Sequence, residues 1–335
     1  MSKKVYAIVI VMVALVVGAI ILQKGRGVSP QKENAKTHSP LHIGLTTWVG
    51  DGVYYVAKAK GFFDAEKVQV EFVNIADTGA AKQLLLSGKI DALYLTPETA
   101  VVLAAAGGKI KIVNVNDLSS GADGVVAAAN IEKVEDLKGK TVAFEVGSPS
   151  HFLLSYLLQQ KGLSTSDMTV VNNLAADAGA AFVAGKVDAA VTWEPWLSQA
   201  SERAGGHVLA SSKDVRVIYD MPIFWAEVVE QRREEVRGLL RALFASQKFI
   251  AAHPGEAAQI IAAEFKITPD EAAAQMQGVR WLNYEENVQS LARGQYSVQN
   301  ALQAAADLWL SLGLIQAPVA AGNLIDESLL SNLYQ

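Results

Sequence analysis

The chain has 335 residues, of which 51% are hydrophobic and 19% charged, and its 34 acidic and 29 basic residues give a net charge of −5. This length and apolar content allow one large or two medium folded domains, and they exclude a largely disordered chain. The acidic balance argues against a nucleic-acid partner, and the absence of cysteine excludes disulfides, thiolate catalysis and cysteine-ligated metals.

The chain begins with the features of an export signal. Lys3 and Lys4 precede an uninterrupted apolar run at residues 5–22, which two further basic residues follow. A basic start and an apolar stretch are typical of a secretory signal, whereas a run of this length is also close to what spans a bilayer as a helix. A convincing small-residue cleavage site is missing. We therefore expect residues 1–26 to be a signal or membrane anchor, and we favour the anchor.

Residues 27–40 are polar and contain two Ser-Pro steps, so they are predicted to be a tether. Residues 1–26 hold four basic residues and no acidic ones, which leaves 25 basic against 34 acidic residues, a net charge of −9, in the remainder. We predict that this acidic remainder is periplasmic or extracytoplasmic, held at the inner membrane by residues 5–22 if the anchor is retained.

Beyond residue 40, short apolar runs alternate with amphipathic stretches of helical length. Predicted strands at 42–47, 68–75, 90–95, 109–116, 141–145, 169–171 and 187–192 alternate with predicted helices at 53–60, 80–87, 97–106, 149–161 and 179–184. Such alternation is typical of βαβ units and mainly parallel sheets. The sequence of residues 229–312 instead predicts several helices. The sequence thus predicts an α/β protein with a helical C-terminal third.

Two segments of the chain resemble each other. Residues 77–81 (DTGAA) and 87–93 (SGKIDAL) return about a hundred residues later as 177–181 (DAGAA) and 184–190 (AGKVDAA). We predict that Gly88 and Gly185 each follow the end of a helix and adopt the left-handed backbone conformation themselves. The same βαβ unit is therefore expected once in each of two lobes.

Three predicted strands lead into helices that begin with proline, at Thr96-Pro97, Ser148-Pro149 and Glu194-Pro195. Ligands of open parallel sheets bind beyond the carboxyl ends of the strands, where these turns must lie. Each turn alone could be an ordinary helix start, whereas the set predicts one shared cleft.

Four segments in order carry a resemblance to a known family: TTWVGDGVYYVAKAKGFFDAEKVQVEF (46–72), SGKIDAL (87–93), EDLKGKTVAFEVGSPSHFLL (135–154) and AGKVDAAVTWEPW (184–196). The chain resembles, over roughly residues 41–333, the periplasmic solute-binding proteins of nitrate/sulfonate/taurine ABC importers. The resemblance implies a two-lobe periplasmic-binding-protein-like fold of type II that closes on a solute.

The same resemblance implies the domain limits and the partners. Lobe one would comprise residues 41–126 plus 224–335, with the helical third packed on it, and lobe two would comprise 127–223. The partners would be a small-molecule solute and an ABC permease with its ATPase. We expect a monomer that touches the membrane only through its N-terminal segment and binds no nucleic acid.

The predicted cleft loops are acidic and rich in tryptophan. They contribute seven carboxylates and no lysine or arginine: Asp51, Glu98, Asp117, Asp123, Glu145, Asp177 and Glu194. From this region we predict eleven ligand-binding residues: Trp48, Asp51, Thr96, Glu98, Asp123, Glu145, Ser148, His151, Trp193, Glu194 and Trp225. Carboxylates without a counter-cation oppose an anion, while tryptophan faces attract cations. The cleft therefore predicts a cationic or donor-rich solute.

Other roles remain open for some of these residues. Glu145 could pair with a lysine across the cleft rim, Asp177 could cap a helix, and His151 could lie at the surface. Five histidines are scattered without ligand spacing, so no metal site and no cofactor are predicted.

Two other functions compete with transport. A tethered ligand-sensing domain for a membrane receptor would need the same two lobes. A pyrimidine-synthase-like enzyme of the same superfamily would need a Cys-rich motif that this chain lacks. Ser148 and His151 are too close along one helix turn to form a nucleophile–base pair, so no catalytic residue is predicted.

Overall fold

A computed structural model describes residues 39–291 and 297–334 of the chain. The predicted signal or anchor lies outside these residues, as does the predicted tether except for its last two positions. In the described ranges, no helix combines the length and apolar character that crossing a membrane requires.

The strands of the described residues form two separate sheets. The first sheet contains β1 (Leu41–Leu45), β2 (Val70–Asn74), β3 (Ala92–Leu95), β4 (Ile110–Ile112), β5 (Asp117–Ser119), β11 (Tyr219–Trp225) and β12 (Val279–Trp281). The second contains β6 (Asp123–Ala128), β7 (Thr141–Phe144), β8 (Thr169–Asn172), β9 (Ala189–Trp193) and β10 (Gly206–Ser211). The strand order in the first sheet is β12-β5-β11-β3-β1-β2, and β4 also pairs with β11. The strand order in the second sheet is β10-β6-β9-β7-β8.

Helices connect the strands and make up the C-terminal third. Those between strands are α1 (Gly52–Ala59), α2 (Phe62–Ala65), α3 (Thr78–Leu86), α4 (Pro97–Ala105), α5 (Pro149–Gln159), α6 (Ala175–Val183) and α7 (Trp196–Ser201). The later ones are α8 (Ala226–Gln231), α9 (Arg233–Ala252), α10 (Pro254–Phe265), α11 (Pro269–Met276), α12 (Tyr284–Ser290) and α13 (Val298–Ser311). The predicted α/β alternation and helical third are confirmed, with ends that differ by a few residues, whereas the apolar pattern did not predict β5, β6, β10, β11 and β12. The prediction of mainly parallel sheets is wrong, since six of the ten strand pairs among the described residues are antiparallel.

Both sheets have the same central arrangement. In the first, β1 is parallel to β2 and β3, and β11 runs antiparallel beside β3. In the second, β7 is parallel to β8 and β9, and β6 runs antiparallel beside β9. The carboxyl ends of the parallel strands therefore form one edge of each sheet.

The internal repeat occupies equivalent places in the two sheets. Helix α3 leads to β3 and helix α6 leads to β9, and both helices end at a glycine with positive φ, +68° at Gly88 and +69° at Gly185. The amides of Lys89 and Lys186 bond back to helical carbonyls at 3.0 Å, as expected for this type of helix end. The predicted glycine ends are confirmed.

The chain passes between the sheets twice, through residues 120–122 and 212–218. The lobe limits inferred from the family resemblance stay a prediction. The C-terminal third packs mainly on the first sheet's helices, for example through Ser246 Oγ, which donates to the Val53 carbonyl oxygen at 2.7 Å. Helix α13 packs on α4 and also reaches α5, where the Trp309 and Phe152 rings lie 5.7 Å apart.

Candidate functional site

A small cavity of about 20 Å³ lies where strand ends of both sheets meet. Its walls comprise Thr46, Trp48, Thr78, Leu95, Thr96, Asp123, Pro149, Trp193, Ile218 and Asp220. Three of the contributing strands, β1, β3 and β9, end there, as expected for a ligand site of parallel sheets. A cavity of this size holds about one water, so the two sheets enclose the site tightly.

Hydrogen bonds join the two sheets around the cavity. Trp193 Nε1, at the end of β9, donates to the Thr47 carbonyl oxygen after β1 at 3.1 Å. Glu145, after β7, accepts from the Thr78 backbone N–H at 3.2 Å and also from the Thr78 hydroxyl. Lys82 Nζ on α3 donates to the Gly147 carbonyl oxygen at 2.9 Å. The described conformation is therefore one in which the cavity is closed.

Asp123, the first residue of β6, lies on the cavity wall opposite Trp193 in the strand register. Its side chain is only 3% exposed, and its Oδ2 has no hydrogen-bond partner among the described residues. Burial raises the pKa of Asp123 to about 7, repulsion from Glu98 and Glu194 adds to the rise, and a hydrogen bond from Ser119 opposes it. A positive group in the cavity would favour the ionised form of this carboxyl.

This carboxyl makes the stability of the unliganded protein depend on pH. The folded protein binds a proton on Asp123 more tightly than the unfolded chain, whose aspartates have pKa values near 3.8. Its contribution to stability is therefore complete below pH 3.8 and is lost as the pH rises to about 7. We expect Asp123→Asn to raise the unfolding free energy at pH 8 by on the order of 2 kcal/mol, and by much less at pH 5. Thermal unfolding at both pH values checks this, and an equal effect at both would contradict it.

Asp220 and Asp117 lie side by side on β11 and β5. Asp117 accepts from the Tyr94 hydroxyl and from Trp48 Nε1, the latter at 3.3 Å. Burial raises the pKa of Asp117 to about 7, which its hydrogen bonds oppose, and burial with repulsion from Asp117 raises that of Asp220 well above the usual range. The pKa values of both carboxyls are thus raised, and Asp220 Oδ2 has no partner in the described ranges.

Asp51 lies behind this pair rather than on the cavity wall. It is fully buried, and burial followed by repulsion from Asp117 raises its pKa well above the usual range. The neighbouring Gly50 leaves no room for a side chain, because a Cβ there would lie 2.2 Å from Trp48 Nε1 and 2.4 Å from Asp117 Oδ2. Close backbone approach at Gly50 therefore allows Trp48 and Asp117 to meet.

Glu98 and Thr96 stand at the beginning of α4. The Glu98 carboxylate accepts from the Thr96 hydroxyl at 2.6 Å and from the Thr99 hydroxyl at 3.0 Å, and its second oxygen has no partner among the described residues. Burial raises the pKa of Glu98, and its hydrogen bonds and the charge of Lys82 oppose that rise. Thr96 lines the cavity, whereas Glu98 lies next to it.

Ser148 and His151 have structural contacts at the start of α5. Ser148 Oγ caps the helix by accepting from the Ser150 amide at 3.1 Å. The His151 ring lies 5.1 Å from the Phe144 ring and 5.0 Å from the Trp309 ring, and its Nδ1 accepts from the Gly147 amide at 3.1 Å. Burial lowers the pKa of His151 to about 4, so the imidazole is neutral at pH 7. Neither residue is part of the cavity wall.

Two other predicted residues lie away from the cavity wall. The Glu194 carboxylate accepts from the Ser198 amide at 3.1 Å and the Ser198 hydroxyl at 2.6 Å, and so caps the start of α7. Trp225 lies at the opposite end of β11, where its Nε1 donates to the Leu85 carbonyl oxygen at 2.6 Å. The structure thus brings four of the eleven predicted residues into the wall, namely Trp48, Thr96, Asp123 and Trp193.

Sequence reasoning missed several wall residues and one buried cation. Asp220 interrupts the apolar run IYDMPIF at 218–224, and a lone acid in such a run is the signal that could have revealed it. Lys82 lies within a predicted helix, so the count of charged residues in the predicted cleft loops did not include it. Its pKa is lowered by burial, which the nearby charges of Glu98, Glu145 and Asp77 oppose. In the part of the chain that the structure describes, no group of three or more His, Cys, Asp and Glu could hold a metal ion.

Comparisons with known proteins agree with this fold. The sequence pattern of the NMT1/THI5-like family matches residues 52–257. The chain is 25% identical over 285 residues to a binding protein of Brucella abortus (strain 2308), an alignment that covers 84% of this chain and 88% of that protein.

Solved structures of periplasmic proteins have a similar fold. The periplasmic aliphatic sulphonate binding protein SsuA from Escherichia coli matches with a TM-score of 0.72 at 24% identity, over 88% of this chain and all of that one. The periplasmic nitrate-binding protein NrtA from Synechocystis PCC 6803 matches with a TM-score of 0.69 at 17% identity, over 89% and 88% of the two chains. The chain therefore has the fold of periplasmic binding proteins and belongs to the NMT1/THI5-like family.

Proposed function

We propose that the protein is the solute-binding component of an ABC importer, and that it captures a small cationic or donor-rich solute between its two sheets. Membership of the NMT1/THI5-like family and the fold shared with SsuA and NrtA support the transport role. One observation carries the choice of solute: Asp123 and Asp220, both on the cavity wall, each have a buried carboxylate oxygen without a partner in the described residues.

The energetics of burial favour a positive group at this place. A buried polar atom without a hydrogen-bond partner costs about 1–3 kcal/mol, and more when it is charged. An ammonium, amidinium or guanidinium group would supply both donors and charge to the two carboxyls. Trp48 and Trp193 line the same cavity, and a cation over an indole face is stabilised by about 0.5–2 kcal/mol.

The relatives named for sulphonate and nitrate raise the opposite possibility of an anionic solute. The cavity wall described here contains two carboxyls and no lysine or arginine. The nearby Lys82 ammonium already donates to the Gly147 carbonyl oxygen, and its charge is balanced by Glu98 and Glu145. Above about pH 7, where Asp123 is ionised, an anion would therefore lie close to a like charge in a weakly polarisable interior, and we propose that the site selects against it.

A binding role agrees better with the side-chain contacts than catalysis does. Ser148 Oγ donates to the Glu145 carbonyl oxygen at 2.7 Å and caps α5, and the His151 ring packs between two aromatic rings. Neither side chain is arranged as a nucleophile or as its base. We propose that the protein changes the location of its solute and not its covalent structure.

We further propose an extracytoplasmic location, as in the periplasmic proteins of similar fold. The apolar run at residues 5–22 supports a membrane tether. A permease with its ATPase would be the partner, and the protein would act as a monomer.

Tryptophan fluorescence tests the solute class, because Trp48 and Trp193 line the cavity. We expect at least one member of a panel of amines, amidines and guanidines to change the emission at concentrations below about 1 mM. Sulfonates of similar size should leave the emission unchanged. A response to sulfonates alone would contradict the proposed solute class.

A further inference from the structure

Two helices begin beside the cavity, and a glutamate of this chain occupies the N-terminus of each. Thr78 opens α3 and Thr96 precedes α4, and both threonines are cavity-wall residues. Each helix has nine residues. A helix N-terminus presents free amide groups and the positive end of the helix dipole, and it therefore attracts anions.

At α3 the glutamate comes from the other sheet. Glu145 Oε1 accepts from the Thr78 amide at 3.2 Å and from its hydroxyl, while Asp77 takes the Ala80 amide at 2.7 Å. The Glu145 side chain is 7% exposed, and its Oε2 has no partner within the described ranges. Two carboxylates of the chain thus already occupy the first turn of α3.

At α4 the glutamate comes from the helix itself. Glu98 is its second residue, is fully buried, and folds back so that its carboxylate accepts from the hydroxyls of Thr96 and Thr99. The Glu98 carboxylate repels the Asp123 carboxylate and so raises the pKa of Asp123. The negative charge of Glu98 therefore lies close to the proposed solute position. Its Oε2 has no partner among the residues described.

We infer that Glu98 and Glu145 are specificity-determining residues, which exclude anionic solutes by occupying the helix N-termini where an anion would otherwise bind. This inference rests on the proposed function, because it takes the cavity to be the solute site. The two glutamates disfavour an anion in two ways. Their carboxylates already accept the hydrogen bonds of the threonine hydroxyls and of the Thr78 amide, and they add negative charge beside the cavity.

The test is a gain of binding for methanesulfonate, measured by calorimetry on the full chain at pH 8. We compare the wild type with Glu98→Ala, Glu145→Ala and the double variant. We expect no measurable heat for the wild type, so that the detection limit bounds its affinity, and an affinity at least tenfold above that bound for the double variant, with smaller gains for the single ones. A folded double variant without a gain would overturn the inference.

Two further variants keep the test decisive. Glu271→Ala is the matched control. Glu271 also accepts a hydrogen bond from a threonine hydroxyl, that of Thr268 at the start of α11, but its side chain is exposed to solvent. This variant should gain no methanesulfonate binding, and a gain equal to that of the double variant would overturn the inference. If the alanine variants fail to fold, the Glu98→Gln and Glu145→Gln pair keeps the side-chain size and should still gain at least threefold. No gain in that folded pair would equally overturn the inference.

The failures of the two proposals are distinguishable. If the wild type binds cations and the folded variants gain no methanesulfonate binding, the role of the glutamates is wrong and the solute class stands. If the wild type binds methanesulfonate and no cation, both are wrong. A gain in the variants without any cation binding by the wild type would support the glutamate role alone.

Discussion

Replacing Asp123 with asparagine is expected to weaken the binding of a cationic solute about 100-fold, which corresponds to about 2.7 kcal/mol. Asparagine keeps the size of the side chain and removes its charge. Asp123 is buried on the cavity wall, and one of its carboxyl oxygens accepts no hydrogen bond from any described residue. This oxygen can therefore accept a hydrogen bond from a solute. Removing one partner of a buried charge pair costs about 2–5 kcal/mol, since the solute charge would then be desolvated without compensation.

The matched control for this prediction is Asp177→Asn, which removes a carboxylate from the exposed first turn of α6. It should leave the affinity within about twofold of the wild type, because exposed charges are screened by solvent. Calorimetry with both variants and one cationic solute makes the comparison. An Asp123→Asn variant that binds as tightly as the wild type would show that this carboxyl does not hold the solute.

The binding of a cationic solute is also expected to depend on pH. The affinity for a solute with a permanent positive charge should rise by at least about tenfold for each pH unit between about pH 5 and pH 7, and then level off. The reason is that the pKa of Asp123 is raised to about 7, so that below this pH the cation must displace a proton from the carboxyl.

The groups that face Asp123 determine how simple this profile is. Asp117 has a similarly raised pKa, and the nearby Glu98 and Asp220 are also shifted upward, so more than one proton can leave and steepen the profile. His151 does not contribute, since its pKa is lowered to about 4. Titration in two buffers with different ionisation enthalpies counts the released protons. An affinity that does not change over this pH range would contradict the prediction.

The fold could be predicted well because its signals are local. The spacing of apolar residues, the proline starts of α4 and α5 and the glycines at 88 and 185 each act within one or two turns of chain, and the structure places them as expected. The third predicted proline start is wrong by one residue, since Pro195 precedes α7 and the helix begins at Trp196. Asp123 and Trp193 could be predicted for the same reason, because each stands at a strand end that faces the cavity.

Other parts of the site depend on strand direction, which is not a local property. Strand β11 runs antiparallel to β3, so its beginning, with Asp220, lies beside the cavity-facing end of β3. Its last residue, Trp225, consequently lies at the far edge of the sheet. Sequence reasoning chose the tryptophan and missed the aspartate because the apolar pattern predicted no strand at residues 219–225 and therefore no direction for it.

Side-chain competition accounts for the remaining differences. Glu194 follows a strand end, but the Ser198 amide and hydroxyl are nearer donors than any solute in the cavity. His151 follows the same local rule, yet its ring packs against Trp309 from the distant helix α13. Such choices depend on which donors and rings tertiary folding brings close, and a single sequence does not contain that information.

Calorimetric titration with matched solute pairs measures most directly whether the cavity holds a positive group. In each pair one carbon skeleton carries a guanidinium or amidinium group in one member and a sulfonate in the other. We predict that at least one cationic member binds the wild-type protein and that its sulfonate counterpart produces no heat beyond dilution. Tighter binding of the sulfonates would contradict the assignment of Asp123 and Asp220 to a cation.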